Sequence, residues 1–295
     1  MKTTMEQLQT LHTSLGYLQE QLLAKGDAVR AAKVQALRDK CERRQLDMTF
    51  CGHFSAGKAS LINRLCGVQI LPSSPIPTTA NVITVENGEE EVLVERLTQD
   101  TVRVNLEQLA EACRNGNEFK RVHIRYPVPL LQDRARLIDT PGVDSTDEAH
   151  REATEAALHL ADAVFYVMDY NHVLSELNFG YIRKLADYRK PLYLIVNQID
   201  KHRETELAFP HFREQVERSL QDWNIDVDGL LFVSLKVEDH PYNEWPLLTQ
   251  FIETLIVHYE EMLLGGVRKA AMSILDEHES WLFEEQRELR ADLAK

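Results

Sequence analysis

The segment GHFSAGKA, from Gly52 to Ala59, has the residue types and spacing of a phosphate-binding loop. Its small residues let successive backbone N–H groups approach one anion, and a helix that starts directly after the loop points its N-terminus at the same anion. Lys58 would neutralise the β- and γ-phosphates of a nucleotide. An accidental glycine turn is the alternative, but the strand, the glycines, the lysine and the helix all occur in the order that phosphate binding requires.

The same loop lacks one residue of the usual pattern, because Ala59 stands where a serine or threonine hydroxyl would bind Mg²⁺. Ser60 is a poor substitute, since one residue along a helix turns the side chain by about 100°. A water could fill the vacancy at a loss on the order of 1–3 kcal/mol, comparable to a charge-assisted hydrogen bond. Such a loss would weaken binding of the metal nucleotide and slow its turnover without affecting the fold.

A second chemical segment, ARLIDTPG, places Asp139 at the end of an apolar strand and Gly142 three residues later. The carboxylate would hold a magnesium-bound water, and the glycine would let a backbone N–H approach a γ-phosphate. Ordinary turn chemistry is the alternative. The pairing with a phosphate loop favours the metal site.

The segment PLYLIVNQID brings Asn197 and Asp200 to a strand end at the spacing N-x-x-D. A carboxylate there can accept from both N1–H and the exocyclic amine of guanine, and adenine lacks this pair of donors, so discrimination against ATP could be large. Gln198 stands where lysine is commoner, which removes part of the expected stacking on the base. A polar strand end is the alternative. The segment LLFVSLK offers Ser234 and Lys236 as a last, less specific base-contact loop.

The proline-bounded loop PSSPIPTTAN contains Thr78 and Thr79 and has the character of a switch. A threonine there could bind Mg²⁺ and fix an attacking water through its backbone. A purely structural loop is the alternative.

Alternating strand-like and helical segments between residues 47 and 264 predict an α/β domain with a mostly parallel sheet flanked by helices. Ligands of such sheets bind at the carboxyl ends of the strands. The acidic run from Glu89 to Glu91 is expected to be a solvated connection. Seven strands are predicted, in MTFCG, VLVERL, VHIRY, ARLIDTPG, AVFYVMDY, PLYLIVNQID and LLFVSLK.

Helical patterns occupy both ends of the chain. Leucines from Leu8 to Leu22 form one stripe that breaks near Gly26, and a second helix capped by Asp27 runs to about Arg44. Toward the other end a stripe from Leu248 to Met262 is followed, after Gly265-Gly266, by a further amphipathic helix. We expect the terminal helices to pack as a neck-like bundle, although one of them could instead cover the sheet. The glycine pair is either a hinge or a plain helix break.

Composition excludes several function classes. The 295 residues carry a formal charge of -14, which disfavours nucleic acid as a partner and disfavours broad attraction to anionic lipid. The four cysteines show no C-x-x-C pairing, so we expect a reducing cytoplasm and no zinc site. No apolar run is long enough for a spanning helix, and the first residues lack the apolar core of a signal peptide.

The segments GHFSAGKASLIN, PSSPIPTTAN, LIDTPGVDST and LIVNQID, with helices outside both ends, resemble the dynamin superfamily of large GTPases, most closely the bacterial dynamin-like proteins of the Gram-positive type. The resemblance implies a P-loop GTPase domain joined to a helical neck bundle, with Mg²⁺ as cofactor. It also implies homodimerisation across the nucleotide faces, and coupling of GTP turnover to movement of neck and stalk on a membrane.

Carried over by resemblance, Lys58 would bind phosphates, Ser55 would compensate transition-state charge, and Thr79 would be the switch threonine. Asp139 and Gly142 would make the second-switch contacts. Metal contacts would come from Thr79 and, through water, from Asp139. The nucleotide contacts implied for GTP or GDP are Gly52, Ser55, Ala56, Gly57, Lys58, Ala59, Ser60, Thr79, Asp139, Gly142, Asn197, Gln198, Asp200, Ser234 and Lys236.

The predicted organisation is neck helices at 1–46, a dynamin-type GTPase domain at 47–264 and a neck helix at 265–295. Related proteins continue into a stalk and a lipid-binding tip, so we expect a cytoplasmic unit whose peripheral membrane contact lies in regions absent from this chain. The leading hypothesis is a GTPase with hydrolysis impaired by Ala59. The alternatives are a guanine-nucleotide-loaded scaffold without turnover and, disfavoured by Asn197 and Asp200, an ATP-hydrolysing phosphate-loop protein.

Overall fold

The computed structural model describes residues 2–72, 82–98, 100–114, 119–143 and 148–293. The helices found in these residues are Thr4–Ala24 (α1), Ala28–Arg43 (α2), Lys58–Cys66 (α3), Leu106–Arg114 (α4), Glu148–Leu160 (α5), Glu176–Asp187 (α6), Phe209–Asp222 (α7), Trp245–Val257 (α8) and Tyr259–Leu293 (α9). The strands are Leu46–Gly52 (β1), Val82–Asn87 (β2), Glu91–Arg96 (β3), Thr101–Val104 (β4), Phe119–Tyr126 (β5), Ala135–Asp139 (β6), Ala163–Asp169 (β7), Leu192–Asn197 (β8) and Gly229–Val233 (β9). Within the described ranges, no helix combines the length and the apolar character needed to cross a lipid bilayer.

The chain forms two compact units. One contains the described residues up to Gln45 together with those from Tyr259 onward, and the other runs from Leu46 to His258. The helical unit therefore begins its second part at α9, whereas the sequence places that boundary at residue 265, inside this helix. The predicted division into a helical part from both termini and a central α/β part has the same order along the chain.

The helical unit is a bundle of α1, α2 and α9. A capping box starts α1, because the Thr3 hydroxyl accepts from the Glu6 backbone N–H at 3.2 Å and the Glu6 carboxylate accepts from the Thr3 backbone N–H at 2.8 Å. The leucine stripe of α1 buries Leu8, Leu15 and Leu22. The predicted bundle of N- and C-terminal helices is confirmed.

Asp27 links the turn between α1 and α2 to α9. Its buried carboxylate caps α2 by accepting from the Arg30 backbone N–H at 3.2 Å, and it lies 2.7 Å from Nδ1 of His278 in α9. Burial raises the pKa of Asp27, but the hydrogen bonds with His278 and Arg30 outweigh it and hold the pKa below its usual value.

The helix α9 passes through Gly265 and Gly266 without interruption, so the predicted helix break is wrong, while the hinge stays a prediction. A mid-helix glycine costs about 1 kcal/mol relative to alanine. Burial of neighbouring apolar residues such as Leu263 and Val267 offsets that cost.

The apolar stripe that the sequence follows from Leu248 to Met262 belongs to two helices, because α8 ends at Val257 and α9 starts at Tyr259. In α8, the Phe251 ring packs edge-on against Tyr193 of β8, with centroids 4.5 Å apart. Both alternatives for this stripe are therefore realised: α8 covers the sheet, and α9 joins the bundle.

The second unit contains a nine-stranded sheet with the order β4-β3-β5-β2-β6-β1-β7-β8-β9. Five of its eight neighbouring strand pairs are parallel. Strands β1, β7 and β8 are buried along their whole length, as expected for strands covered on both faces. Helices α6 and α7 bury Ile182 and Phe212 in one cluster with Tyr166 and Phe232 of the sheet. The predicted α/β fold with a mostly parallel sheet and flanking helices is confirmed.

Two short strands, β2 and β4, were not predicted from the sequence. The residues Glu89 and Glu90 lie in the turn between β2 and β3, and Glu91 is the first residue of β3, so the acidic run is mainly the expected connection.

The carboxyl ends of five parallel strands lie along one edge of the sheet, namely those of β6, β1, β7, β8 and β9. There Asp139 pairs with Phe50, and Asn197 pairs with Asp169. The chemical segments follow these strand ends.

Candidate nucleotide-binding site

The phosphate loop runs from the end of β1 to the start of α3 through a short 3-10 helix, Phe54–Ala56. Two glycines have steric reasons to be there. A Cβ on Gly52 would lie 2.1 Å from the Val167 carbonyl oxygen, and a Cβ on Gly57, whose φ is +90°, would lie 2.5 Å from Nδ2 of Asn197. The loop therefore packs tightly between the ends of β7 and β8.

Lys58 begins α3 and its side chain is buried. Its Nζ donates to the carbonyl oxygens of Gly52 at 2.8 Å and His53 at 3.0 Å, so the ammonium lies over the loop. Backbone N–H groups in the first turn of a helix have no partners inside the helix, so the start of α3 directs such donors and the positive end of its dipole toward this region. Ammonium and helix terminus together form a site suited to a phosphate.

Ala59 and Ser60 occupy the second and third positions of α3, and both are half-buried. The Ala59 side chain offers no oxygen to a cation. The expectation that this removes a metal ligand stays a prediction.

Asp139 ends β6 beside Phe50 of β1. Its Oδ1 is buried and has no hydrogen-bond partner among the described residues. Burial raises the pKa of Asp139 to about 6, although the Lys58 ammonium acts in the opposite direction. A buried carboxylate oxygen with no donor, near a cationic loop, fits a water of a hydrated Mg²⁺.

The turn after Asp139 is tied to the phosphate loop. The backbone N–H of Thr140 donates to the Phe50 carbonyl at 3.1 Å, and that of Val143 donates to the Gly52 carbonyl at 3.2 Å. Gly142, which the sequence assigns to a γ-phosphate contact, lies between these two attachments. No group of three histidine, cysteine or acidic side chains able to hold a metal occurs in the part of the chain that the structure describes.

Asn197, at the end of β8, joins two loops: the segment 197–201, here called the base-reading loop, and the phosphate loop. Its buried amide donates from Nδ2 to the Ala56 carbonyl at 2.9 Å, and its Oδ1 accepts from the Gln198 backbone N–H at 2.8 Å. Both ends of this side chain therefore hold protein backbone. Gln198, in the left-handed region with φ 66°, donates from Nε2 to the Ser55 carbonyl at 3.0 Å.

Asp200 is the side chain of this loop that can face a base. It lies in the 3-10 helix Ile199–Lys201, and its Oδ1 accepts from the Ser234 hydroxyl at 2.9 Å. Its Oδ2 has no hydrogen-bond partner in the described ranges. Ser234 follows β9 and accepts from the Val237 backbone N–H at 3.0 Å, which fixes the hydroxyl for its donation to Asp200.

Asn243 braces the loop that contains Ser234 and was missed in the sequence. Its Oδ1 accepts from the Ser234 backbone N–H at 3.1 Å, and its Nδ2 donates to the Ser234 carbonyl at 3.0 Å and the Glu238 carbonyl at 3.1 Å. Lys236, within this loop, is exposed, and its backbone N–H donates to the Ser234 hydroxyl at 3.3 Å. The only sequence signal was a polar Asn-Glu pair before the proline-started helix α8, which suggests a cap and says nothing about its partner.

The structure thus brings the phosphate loop, Asp139 with its turn, and the loops at Asn197 and Ser234 to one edge of the sheet. The predicted switch residues, Thr78 and Thr79, lie outside the described residues. Of the two metal contacts implied by resemblance, Asp139 is the one that the structure describes.

Comparison with known proteins relates this arrangement to one family. The model of the dynamin family matches residues 48–200. Dynamin-like protein A of Bacillus subtilis (strain 168) is 35% identical over 286 residues, which cover 95% of this chain and 24% of that protein. Mitofusin-2 of Homo sapiens is 26% identical over 198 residues, which cover 63% of this chain and 26% of that protein. The chain therefore spans about a quarter of the length of these relatives.

A solved structure of an oligomerised bacterial dynamin pair, associated with long-range sensing and tethering of membranes, has a similar fold. The TM-score is 0.58 at 19% sequence identity, and the match covers 79% of this chain and 38% of that chain. At this identity the likeness concerns the fold alone.

Proposed function

The chain belongs to the dynamin family, and on this premise we propose that it binds guanine nucleotide with Mg²⁺ and hydrolyses GTP, slowly because of Ala59. The observation that carries the proposal is the hydrogen bond from Asn197 to the Ala56 carbonyl. It joins the loop that carries Asp200 to the loop that cradles phosphate. One nucleotide can therefore engage both loops at once.

In this proposal each group of the site has a distinct part. Lys58 and the N-terminus of α3 bind the β- and γ-phosphates. Asp139 accepts from a water of the hydrated metal, and the Gly142 N–H contacts the γ-phosphate. The Asp200 carboxylate accepts from N1–H and the exocyclic amine of guanine. Because these donors are absent from adenine, ATP would leave the carboxylate unpaired.

By resemblance, Ser55 compensates charge in the transition state and Thr79 completes the metal site. Mg²⁺, when bound, neutralises charge that develops on the phosphate oxygens. Alanine at position 59 would offer Mg²⁺ no side-chain oxygen, so we expect binding of the metal nucleotide and its turnover to be weakened together.

A guanine-nucleotide-loaded scaffold without turnover is the second candidate, and Ala59 is the observation that favours it. The pre-formed base-reading loop would bind nucleotide in either case. The two candidates differ only in whether the metal end supports hydrolysis.

We further propose nucleotide-dependent dimerisation across the nucleotide faces, followed by movement of the helical bundle. In the whole protein this cycle would drive membrane remodelling, whether fusion, fission or membrane protection. The support is the family membership and the oligomerised bacterial dynamin pair. Light scattering tests the first step: a mimic of the GTP transition state should shift the chain to dimers, and a monomer that binds the mimic would contradict it.

The decisive experiment for catalysis is phosphate release from GTP with Mg²⁺, comparing the chain with Ala59→Ser and Ala59→Cys at equal concentration. Serine restores a hard oxygen ligand, whereas cysteine adds a similar volume with a soft sulfur that Mg²⁺ does not favour. We expect turnover to rise about tenfold or more with serine, as one recovered ligand of 1–3 kcal/mol allows, and to stay low with cysteine. Equal and negligible rates in all three, with GDP still bound, would favour the scaffold.

A further inference from the structure

Gln198 stands at the position where a base-reading loop commonly has lysine, and its contacts show what the amide does instead. Together, Asn197 and Gln198 donate into two successive carbonyls of the phosphate loop, those of Ala56 and Ser55, at 2.9 Å and 3.0 Å. The absent side chain of Gly57 makes room for the Asn197 amide, since its Cβ would lie 2.5 Å from Nδ2 of Asn197, whereas Nε2 of Gln198, at 3.8 Å, would be in ordinary van der Waals contact with it.

The oxygen end of Gln198 is held by a second residue. The ammonium of Lys201, the last residue of the 3-10 helix that starts directly after Gln198, donates to Oε1 of Gln198. An amide whose oxygen faces an ammonium must turn its NH₂ group the other way, which here is toward the Ser55 carbonyl. Lys201 therefore determines which end of Gln198 contacts the phosphate loop.

The left-handed backbone of Gln198 strengthens this reading. Its φ of 66° is uncommon outside glycine and asparagine. That conformation starts the 3-10 helix and places residues 198 and 201 on one side of it, because a 3-10 helix has three residues per turn.

We propose that Lys201 is a positioning residue for nucleotide binding, and that Lys201 and Gln198 together replace the single lysine usual at this point. Gln198 supplies the neutral donor to the phosphate loop, and Lys201 supplies the positive charge beside the base site and orients the amide. The inference rests on the proposed binding of guanine nucleotide. It predicts that the two positions depend on each other, so loss of the charge at position 201 or gain of a charge at position 198 weakens binding unless the other position changes with it.

The test measures the affinity and release rate of a fluorescent GDP with four variants: Lys201→Met, Lys201→Arg, Gln198→Lys and the exchange Gln198→Lys with Lys201→Gln. We expect Lys201→Met to weaken GDP about three- to tenfold through faster release, as loss of one charge-assisted hydrogen bond implies. Lys201→Arg should restore most of the affinity. Gln198→Lys alone should weaken binding because two ammonium groups then lie close together, and the exchange should recover it.

Lys269→Met, at an exposed position of α9, is the matched control and should leave GDP affinity unchanged. Melting of the nucleotide-free protein should be similar in all variants, which separates a positioning role from a purely structural one. The inference would be overturned if the GDP affinity of Lys201→Met lay within twofold of that of the control. It would also be overturned if Gln198→Lys weakened GDP binding equally with Lys201 present and with Lys201→Gln. Either result would leave the proposed function intact. Absence of GDP binding by the unmodified chain would overturn both.

Discussion

The candidate site has two parts, a base end around Asp200 and a metal end around Asp139 and Ala59. They differ in how many of their polar groups are hydrogen-bonded to other protein groups. At the base end, Asn197 and Gln198 bond to the phosphate loop, and Asp200 is held by Ser234. At the metal end, Asp139 keeps a buried oxygen without a partner among the described residues, and Ala59 offers no ligand. Protein contacts hold the base end in position and leave Oδ2 of Asp200 for the base, whereas the metal end has fewer protein contacts and leaves a buried carboxylate oxygen for a ligand.

The largest effect should come from breaking the base end at Asp200. Asp200→Asn replaces an acceptor by an amide that also donates, which suits the C2 oxygen of xanthine better than the amine of guanine. We expect GDP affinity to fall on the order of 100-fold and xanthosine diphosphate affinity to rise, measured by competition against a fluorescent nucleotide.

Asp226→Asn, at an exposed position, is the control for that exchange. Unchanged preference for guanine in Asp200→Asn would show that another group reads the base.

The next effect concerns the metal end, where Asp139→Asn removes a charge that burial makes unfavourable. A carboxyl whose folded pKa is raised from 3.8 to about 6 contributes stability that is complete below pH 3.8 and is lost as pH rises through 6. At pH 7 the nucleotide-free variant should therefore be more stable, on the order of 1–3 kcal/mol, while Mg²⁺-dependent turnover is lost.

Denaturant unfolding at pH 4 and pH 7 checks this sign. The advantage of Asp139→Asn should be small at pH 4 and present at pH 7. A variant less stable than the parent at pH 7 would mean that the carboxylate has a partner that its surroundings do not show.

A smaller effect should appear when Mg²⁺·GDP binding is followed against pH. Below pH 6 the Asp139 carboxyl takes up a proton and no longer accepts from a metal-bound water. The Mg²⁺-dependent part of the affinity should fall about tenfold between pH 7 and pH 5. In Asp139→Asn this dependence should be absent, and its persistence would show that a group other than Asp139 is responsible.

The smallest effect is expected at Asn243, which supports the base end from a distance. Asn243→Ala removes the donors to the Ser234 and Glu238 carbonyls and should weaken GDP about three- to fivefold by loosening Asp200. Asn171→Ala, at an exposed position, is the control. Unchanged GDP affinity in Asn243→Ala would show that the local backbone contacts of Ser234 keep its hydroxyl in place without Asn243.

Much of this contrast was accessible from the sequence. The buried strands read as continuous apolar runs, and the phosphate loop, Asp139 and the N-x-x-D segment follow directly after them, so one edge of the sheet had to collect them. The missing hydroxyl at Ala59 is visible in the letters alone. These are features in which the local pattern and the strand ends decide the outcome.

The remaining features depend on contacts that no local pattern encodes. Strand β4 is the outermost strand of the sheet on one side, has only four residues, and is recognised by its pairing with β3. Asn243 reaches a backbone segment nine residues away, as Ser234 is its partner. The glycine pair by itself predicts an interruption at Gly265. The helix α9 is continuous there because apolar neighbours of the pair are buried.

Because α9 is continuous through Gly265, this glycine affects how easily the backbone hydrogen bonds of the helix break locally. Apart from its chain neighbours and the nearby backbone of α9, no heavy atom of the described residues lies within 4 Å of the place where a Cβ on Gly265 would stand, so tight packing does not explain the glycine there. The helix therefore contains a turn with lower intrinsic helicity than its flanks. Amide hydrogens around this turn should exchange with solvent faster than those of the buried turns on either side, so the long helix has a built-in point of local opening near its start at Tyr259.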